Sequence, residues 1–333
     1  MPTNDEPTYT ELPERAVTAM MSFRPSPETV MQRTAELGEI PVRPRDGDGS
    51  TETLHGVTFT HRLVSAPADY ESIEWHYVEC GEGEPIVFLH GLPDSWYQWH
   101  HQMAALSATH RCIAVDLKGY GQSHVGPGDY SHEGAGDQLV AMLETIGVTS
   151  FNLVAHDRGT VQADFIVANH PERVLRYGRG EQHLYHFNPK LAPQGEMLLN
   201  APYTGILQDA ERFVVSSYGA LAVKPVPDED LRRLVQEFSY EGIAKAVPRY
   251  YGSMTMRQEW LVRRQRLLAA WRCPVLIMQG EDSRTQPREF YEDARQHLPN
   301  SPDVQVRLIP GGHYWVLESP EETTSAIRRL LAM

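Results

Sequence analysis

Asp157 stands in the run Ala155-His156-Asp157-Arg158-Gly159, directly after an apolar stretch and directly before a helical one. Small residues around a central polar one suit a sharp strand-to-helix turn, where a crowded backbone holds the central residue under strain. Esterases place serine at the centre of such a turn; here the position holds a carboxylate. An aspartate is ionised at neutral pH and attacks an electrophilic sp³ carbon without a base to activate it. The product of that attack is an alkyl ester, hydrolysed at the aspartate's own carbonyl by a water that a histidine deprotonates. His313, in Gly311-Gly312-His313 after the last apolar run, is the candidate for that base. The backbone N–H groups of Leu92 and Arg158 are the candidate donors to the oxyanion of the second step. Leu92 belongs to the run His90-Gly91-Leu92-Pro93-Asp94-Ser95-Trp96-Tyr97-Gln98-Trp99. No Gly-x-Ser-x-Gly occurs in the chain, so serine esterase or lipase chemistry has no candidate nucleophile.

These groups need rigid elements behind them, and the apolar pattern supplies them. Residues 73–78 alternate like a half-buried strand, while 85–89, 112–115, 151–155, 275–278 and 304–308 read as buried strands. Helical stretches lie between, such as 134–146, which stops at Gly147. Strands alternating with helices predict a mostly parallel sheet covered on both faces, with reactive groups at the carboxyl ends of its strands. From about 182 to 270 the rhythm breaks into helices at 207–221, 228–238 (with Asp228 as N-cap) and 256–268. A helical insertion between two strands of such a sheet is expected to form a lid over the strand ends.

The 333 residues carry a net charge of −14, which argues against a nucleic-acid or anionic-membrane partner. Three cysteines, Cys80, Cys112 and Cys273, make no disulfide framework and suit a reducing compartment. The first 14 residues are polar and acidic without a signal pattern, and no apolar run approaches 18 residues. A cytoplasmic protein is the expectation. Residues 1–54 read as an appended arm with two short helices, one around Val17, Met20, Met21 and Phe23 and one around Val30, Met31 and Ala35. The arm packs either on its own domain or on a second subunit, which leaves a homo-oligomer open.

With these motifs in view, the chain resembles the α/β-hydrolase superfamily over about residues 55–333. The resemblance is to its aspartate-nucleophile branch, which holds epoxide hydrolases and haloalkane and haloacetate dehalogenases. It implies an α/β-hydrolase fold, with a helical cap inserted after the sixth strand and an N-terminal extension. The core is then 55–181 and 271–333, and the cap 182–270. In many relatives the triad's acid follows the strand before the histidine, in a Gly-x-x-Asp setting. This chain has Gly280-Glu281-Asp282-Ser283 there, with serine at the usual position and Asp282 one place early. Another subset carries its acid 24 residues beyond the nucleophile, and that position is Glu181. Glu181 is the preferred acid and Asp282 the reserve. The strand before Glu181 contains Arg176 and Arg179, polar for a buried strand.

The resemblance also separates two reactions. Haloalkane dehalogenases use a tryptophan directly after the nucleophile, where this chain has Arg158. Haloacetate dehalogenases place a second arginine three residues later, where it has Val161. Epoxide hydrolases instead need a proton donor for the ring oxygen, and a protonated lid tyrosine serves. The run Arg249-Tyr250-Tyr251-Gly252 is similar to the segment that carries it, with Tyr251 at the donor position and Tyr250 beside it. The likeness is strongest to bacterial epoxide hydrolases with an Ala-His-Asp turn, and includes Gln194-Gly195-Glu196. A second donor, a histidine in that subset, is replaced by Asn200-Ala201; Tyr203 lies two residues on. His90, Pro93, Trp96 and His156 are the residues the resemblance assigns to the substrate pocket.

The expected activity is thus opening of a small hydrophobic epoxide to a diol. Alternatives are a dehalogenase with the same nucleophile and a catalytically degenerate ligand-binding homologue. No cofactor is expected. His183-x-x-His186 and His100-His101 lack companion ligands in the sequence, so no metal is expected either. No dinucleotide or phosphate-cradling glycine pattern occurs.

Overall fold

The computed structural model describes residues 8–21, 25–68, 71–191 and 194–333. Phe23 of the first expected arm helix lies outside the described residues, as do the side chains of Gln194 and Glu196. The strands are β1 (Thr51–Leu54), β2 (Val57–Ala68), β3 (Glu71–Cys80), β4 (Glu84–Leu89), β5 (His110–Val115), β6 (Phe151–His156), β7 (Val174–Gly180), β8 (Val275–Gly280) and β9 (Val304–Ile309). They form one sheet in the order β1-β2-β3-β5-β4-β6-β7-β8-β9. β1, β2, β3 and β5 pair antiparallel, and all pairs from β5-β4 to β8-β9 are parallel. β4 sits between β5 and β6, so the chain's direction of travel across the sheet reverses there. Ligands bind at the strand ends of such a switch point.

The helices explain how the apolar strands are covered. The arm holds α1 (Glu14–Met21) and α2 (Pro27–Leu37); the core holds α3 (His100–Leu106), α4 (His132–Thr145) and α5 (Arg158–Asn169). Between β7 and β8 lie α6 (Gln194–Leu199), α7 (Ala201–Thr204), α8 (Ala210–Leu221), α9 (Asp228–Phe238), α10 (Ile243–Ser253) and α11 (Met256–Val262). The core closes with α12 (Trp315–Glu318) and α13 (Pro320–Leu331). β4, β5, β6 and β8 are apolar on both faces because helices cover both.

Several expectations are corrected. The sheet begins at Thr51, so the last four residues assigned to the arm are a core strand, and the helical insertion follows the seventh strand rather than the sixth. Asp228 is the first residue of α9, with Pro227 before it and no side-chain cap. The stretch after α11 widens into a π turn at Arg263–Leu267.

β7 tolerates its arginines because each finds a partner. Arg179 is fully buried, with its guanidinium 3.2 Å from Asp164 of α5, and it donates to the carbonyls of Gln182 and His183. Asp164 also takes Arg263 and the Tyr177 hydroxyl, so one carboxylate ties the sheet to the end of the helical insertion. Arg176 reaches Asn152 Oδ1 at 3.1 Å. The arm packs on its own chain: Leu37 and Val30 are buried, Arg33 pairs with Asp228, and Arg15 makes a two-pronged bond to Glu289. The three cysteines are free and buried. Among the described residues, no helix is long and apolar enough to cross a membrane.

Candidate active site

Every group of the candidate site follows the carboxyl end of a parallel strand or comes from the helical insertion. β6 ends at His156, and Asp157 makes the turn into α5 with φ 47° and ψ −118°. Glu181 follows β7 with φ 55°. Left-handed backbone is rare for residues with a Cβ and is stored where the surroundings enforce it. At Asp157 the enforcing feature is crowding. A Cβ on Gly159 would lie 2.4 Å from the carbonyl oxygen of His90, and one on Gly91 would lie 2.5 Å from the Asp157 side chain. Only glycines let the loop after β4 and the start of α5 close on this carboxylate.

Leu92 N–H donates to Asp157 Oδ1 at 3.0 Å, and Gln182 Nε2 donates to Oδ2 at 3.4 Å. His313 Nε2 lies 3.6 Å from Oδ2, facing the carboxylate without a hydrogen bond to it. On its other side His313 Nδ1 lies 3.0 Å from Glu181 Oε2. Glu181 is saturated: Oε1 accepts from Gln279 Nε2 at 2.7 Å and Gly280 N at 3.0 Å, and Oε2 accepts from Ser283 and Thr285. Burial alone would lower the His313 pKa. The hydrogen bond and charge of Glu181, with Asp157 and Asp94, outweigh burial and raise it. Asp282 is exposed and has no contact with His313; the reserve acid is set aside.

Asp157, Arg158, Glu181, His313, Leu92 and Tyr251 all line one cavity of about 70 Å³. Leu198, Phe213, Leu221 and Met256 of the helical insertion supply much of its apolar wall. Tyr251, on α10, is buried and its hydroxyl has no hydrogen-bond partner among the described residues. Burial raises its pKa; the Arg158 guanidinium, 4.8 Å from the ring centre, opposes that and the charge of Asp157 adds to it. Arg158 is held in turn by Glu259 of α11 at 2.5 Å and by His132. Its backbone N–H makes no bond to Asp157, so of the two expected oxyanion donors only Leu92 touches the carboxylate.

Other expected residues fall elsewhere. Tyr203 is 89% exposed on α7 and does not line the cavity, which argues against it as a second donor. Tyr250 is buried, but its hydroxyl donates to Lys118 O and accepts from Gln162, so it braces α10 against the core. His90, Pro93, Trp96 and His156 are buried and do not line the cavity. His90 bridges Gly91 O and Leu117 N, and Trp96 packs against Phe59 and His61. His156 donates to the His313 carbonyl at 2.7 Å, and burial pushes its pKa down to about 3. All four lie in the packed interior rather than on the cavity wall. Glu259, Gln182, Ser283 and Thr285 were not anticipated. The serine at the usual acid position was the one visible signal, because a hydroxyl there is placed to meet an acid arriving from a neighbouring strand.

The alpha/beta hydrolase fold family matches residues 84–320. The chain is 34% identical over 184 residues to bifunctional epoxide hydrolase 2 of Rattus norvegicus, covering 50% of this chain and 33% of that one. It is 31% identical over 181 residues to a haloalkane dehalogenase of Agrobacterium fabrum, covering 53% and 60%. The match spans about a third of the length of the rat enzyme. An epoxide hydrolase from Vigna radiata has a similar fold, with a TM-score of 0.63 at 24% identity over 82% of this chain and 98% of that one. With a parallel sheet reversing at β4 and a family match over most of its length, the chain belongs to the alpha/beta hydrolase fold family.

Proposed function

We propose that the chain is an epoxide hydrolase that converts a small, hydrophobic epoxide to a vicinal diol. The observation that carries this reading is the shared cavity of Asp157 and Tyr251, a carboxylate and a tyrosine hydroxyl without a hydrogen-bond partner among the described residues. Asp157 attacks an epoxide carbon, the ring C–O bond breaks, and Tyr251 protonates the departing oxygen. A water between His313 Nε2 and the new ester then loses a proton to His313 and adds to the Asp157 carbonyl. Leu92 N–H steadies the oxyanion. Collapse releases the diol, whose oxygen takes the proton from His313, and the remaining acid proton returns to Tyr251.

Glu181 acts on the imidazole alone, holding Nδ1–H and favouring the charged form that appears during hydrolysis. The cap, formed by the helical insertion, supplies the donor and the apolar wall and excludes bulk water. Buried, free thiols support a reducing compartment, the cytoplasm. Halide release has less support: Arg158 is committed to Glu259, and Val161 is buried in a separate apolar cluster with Phe165 and Leu267. Purified protein incubated with a panel of epoxides and haloalkanes, scored for diol and for free halide, tests the reading. Diol formation without halide release is expected; halide release alone would overturn it in favour of a dehalogenase, and neither product in favour of a binding homologue.

A further inference from the structure

His100 and His101 begin α3 and take no part in the Asp157 cavity. Sequence spacing leaves them without companion ligands; the fold supplies two. His55 occupies the turn between β1 and β2, with φ 50° followed by Gly56 at φ 74°, the pair of positive values that a tight hairpin turn of this hand requires. Its ring lies 5.0 Å from the His100 ring and 4.4 Å from the His101 ring, and those two lie 4.0 Å apart. Ligand-capable nitrogens of all three fall within 4.8 Å of one another. Asp230, in the first turn of α9, brings a buried carboxylate: Oδ1 is 3.5 Å from His100 Nε2 and Oδ2 is 4.0 Å from His101 Nε2.

The hydrogen bonds define which atoms are free. His100 Nδ1 lies 2.7 Å from the carbonyl oxygen of Tyr97. A carbonyl only accepts, so Nδ1 carries the hydrogen and Nε2 of the neutral ring carries a lone pair. That lone pair faces Asp230 Oδ1, itself an acceptor already bonded to the Tyr97 hydroxyl at 3.0 Å. Two acceptors facing each other in a buried place repel unless a proton or a cation lies between them. An imidazole whose other nitrogen is clamped to a backbone carbonyl is also how metal-ligating histidines are oriented.

We propose that His55, His100, His101 and Asp230 bind one divalent transition-metal cation of the zinc class. Three imidazoles and one carboxylate make a closed four-ligand set suited to a structural tetrahedral site. Donor separations there are roughly 3.4 Å, as bond lengths near 2.1 Å require, and the exposed His55 and half-buried His101 can rotate to meet them. The bound ion would join three elements, the β1–β2 hairpin, α3 of the core and α9 of the helical insertion. A second group, His186, Asp293 and His297, is less suited. Both of its imidazoles already lie 2.9 Å from the carboxylate, and His186 Nδ1 bonds Thr10, so a metal would have to break a closed network.

The test uses untagged full-length protein treated with chelator, then titrated with zinc by calorimetry and with cobalt(II) by visible absorption. One equivalent with a Kd of about 10 µM or tighter is expected, with the strong visible bands of tetrahedral cobalt. A His55→Ala/His101→Ala variant alters only accessible side chains and should weaken binding at least about 10-fold, as should Asp230→Asn. His297→Ala should leave binding unchanged. Absence of binding at about 100 µM zinc, or unchanged binding in the double variant, would overturn the proposal.

Discussion

Ser283 donates its hydroxyl to Glu181 Oε2 over 2.7 Å. The loop after β8, where many related enzymes keep the acid, here holds a donor for an acid that arrives from the end of β7. The exchange is possible because β7 and β8 are parallel neighbours in register, so their carboxyl ends stand side by side within reach of His313. Four donors besides the imidazole surround the carboxylate, which keeps a buried charge satisfied.

This relationship makes a pH prediction. In the proposed mechanism His313 is the hydrolytic base and works only when neutral, so the rate should rise with pH through its pKa. Glu181 raises that pKa above its ordinary value, against the effect of burial. Glu181→Gln should therefore shift the acid limb of the kcat profile to lower pH while lowering the plateau by about 10²-fold or more. A lower plateau with an unmoved limb would mean that the carboxylate does not act through the imidazole.

Replacing Tyr251 with phenylalanine removes the proposed donor and leaves Asp157 and His313 in place. Single-turnover alkylation should slow by about 10²-fold. Tyr203→Phe, at an exposed position, should change the rate by less than about twofold, within the usual range for surface substitutions. The reverse ranking would reassign the donor.

His313→Gln should separate the two chemical steps. The variant should still be alkylated and then stall, gaining the whole mass of one epoxide on the peptide containing Asp157. Asp157→Asn should gain nothing. If wild type turns over the epoxide while His313→Gln never accumulates an adduct, water attacks directly and Asp157 is a base.

A stability prediction comes from the centre of the fold. Asp164 is fully buried between Arg179 and Arg263. Asp164→Ala strands two guanidinium groups, and leaving a buried charge without its partner costs about 3–5 kcal/mol. Urea unfolding should show that loss as a lower midpoint, whereas a change under about 1 kcal/mol would mean that water reaches these arginines.

The pattern of apolar runs placed β3 to β9 to within a few residues, because strands packed against the core carry their burial in the local sequence; β1 and β2, at the antiparallel edge with many exposed positions, were not visible in it. The turn at Asp157 was visible for a similar reason: small flanking residues are a local steric requirement, and Gly159 meets it. β7 was the doubtful strand, since its arginines are explained by Asp164 from a different element.

By itself, then, the order of residues determined the parallel sheet, the helical insertion, and the candidate roles of Asp157 and His313, all properties that periodicity and local backbone crowding express. Tertiary structure decided which long-range partners those groups meet. It joined Glu181 rather than Asp282 to His313, turned Tyr251 toward the cavity while tying Tyr250 to Lys118, and left Tyr203 in solvent. It also buried His90, Trp96 and His156 away from the cavity wall and gathered His55 beside His100 and His101. Each of these outcomes depends on how helices and strand ends pack across the sheet, and residues tens to more than a hundred positions apart leave no periodic trace of where they meet.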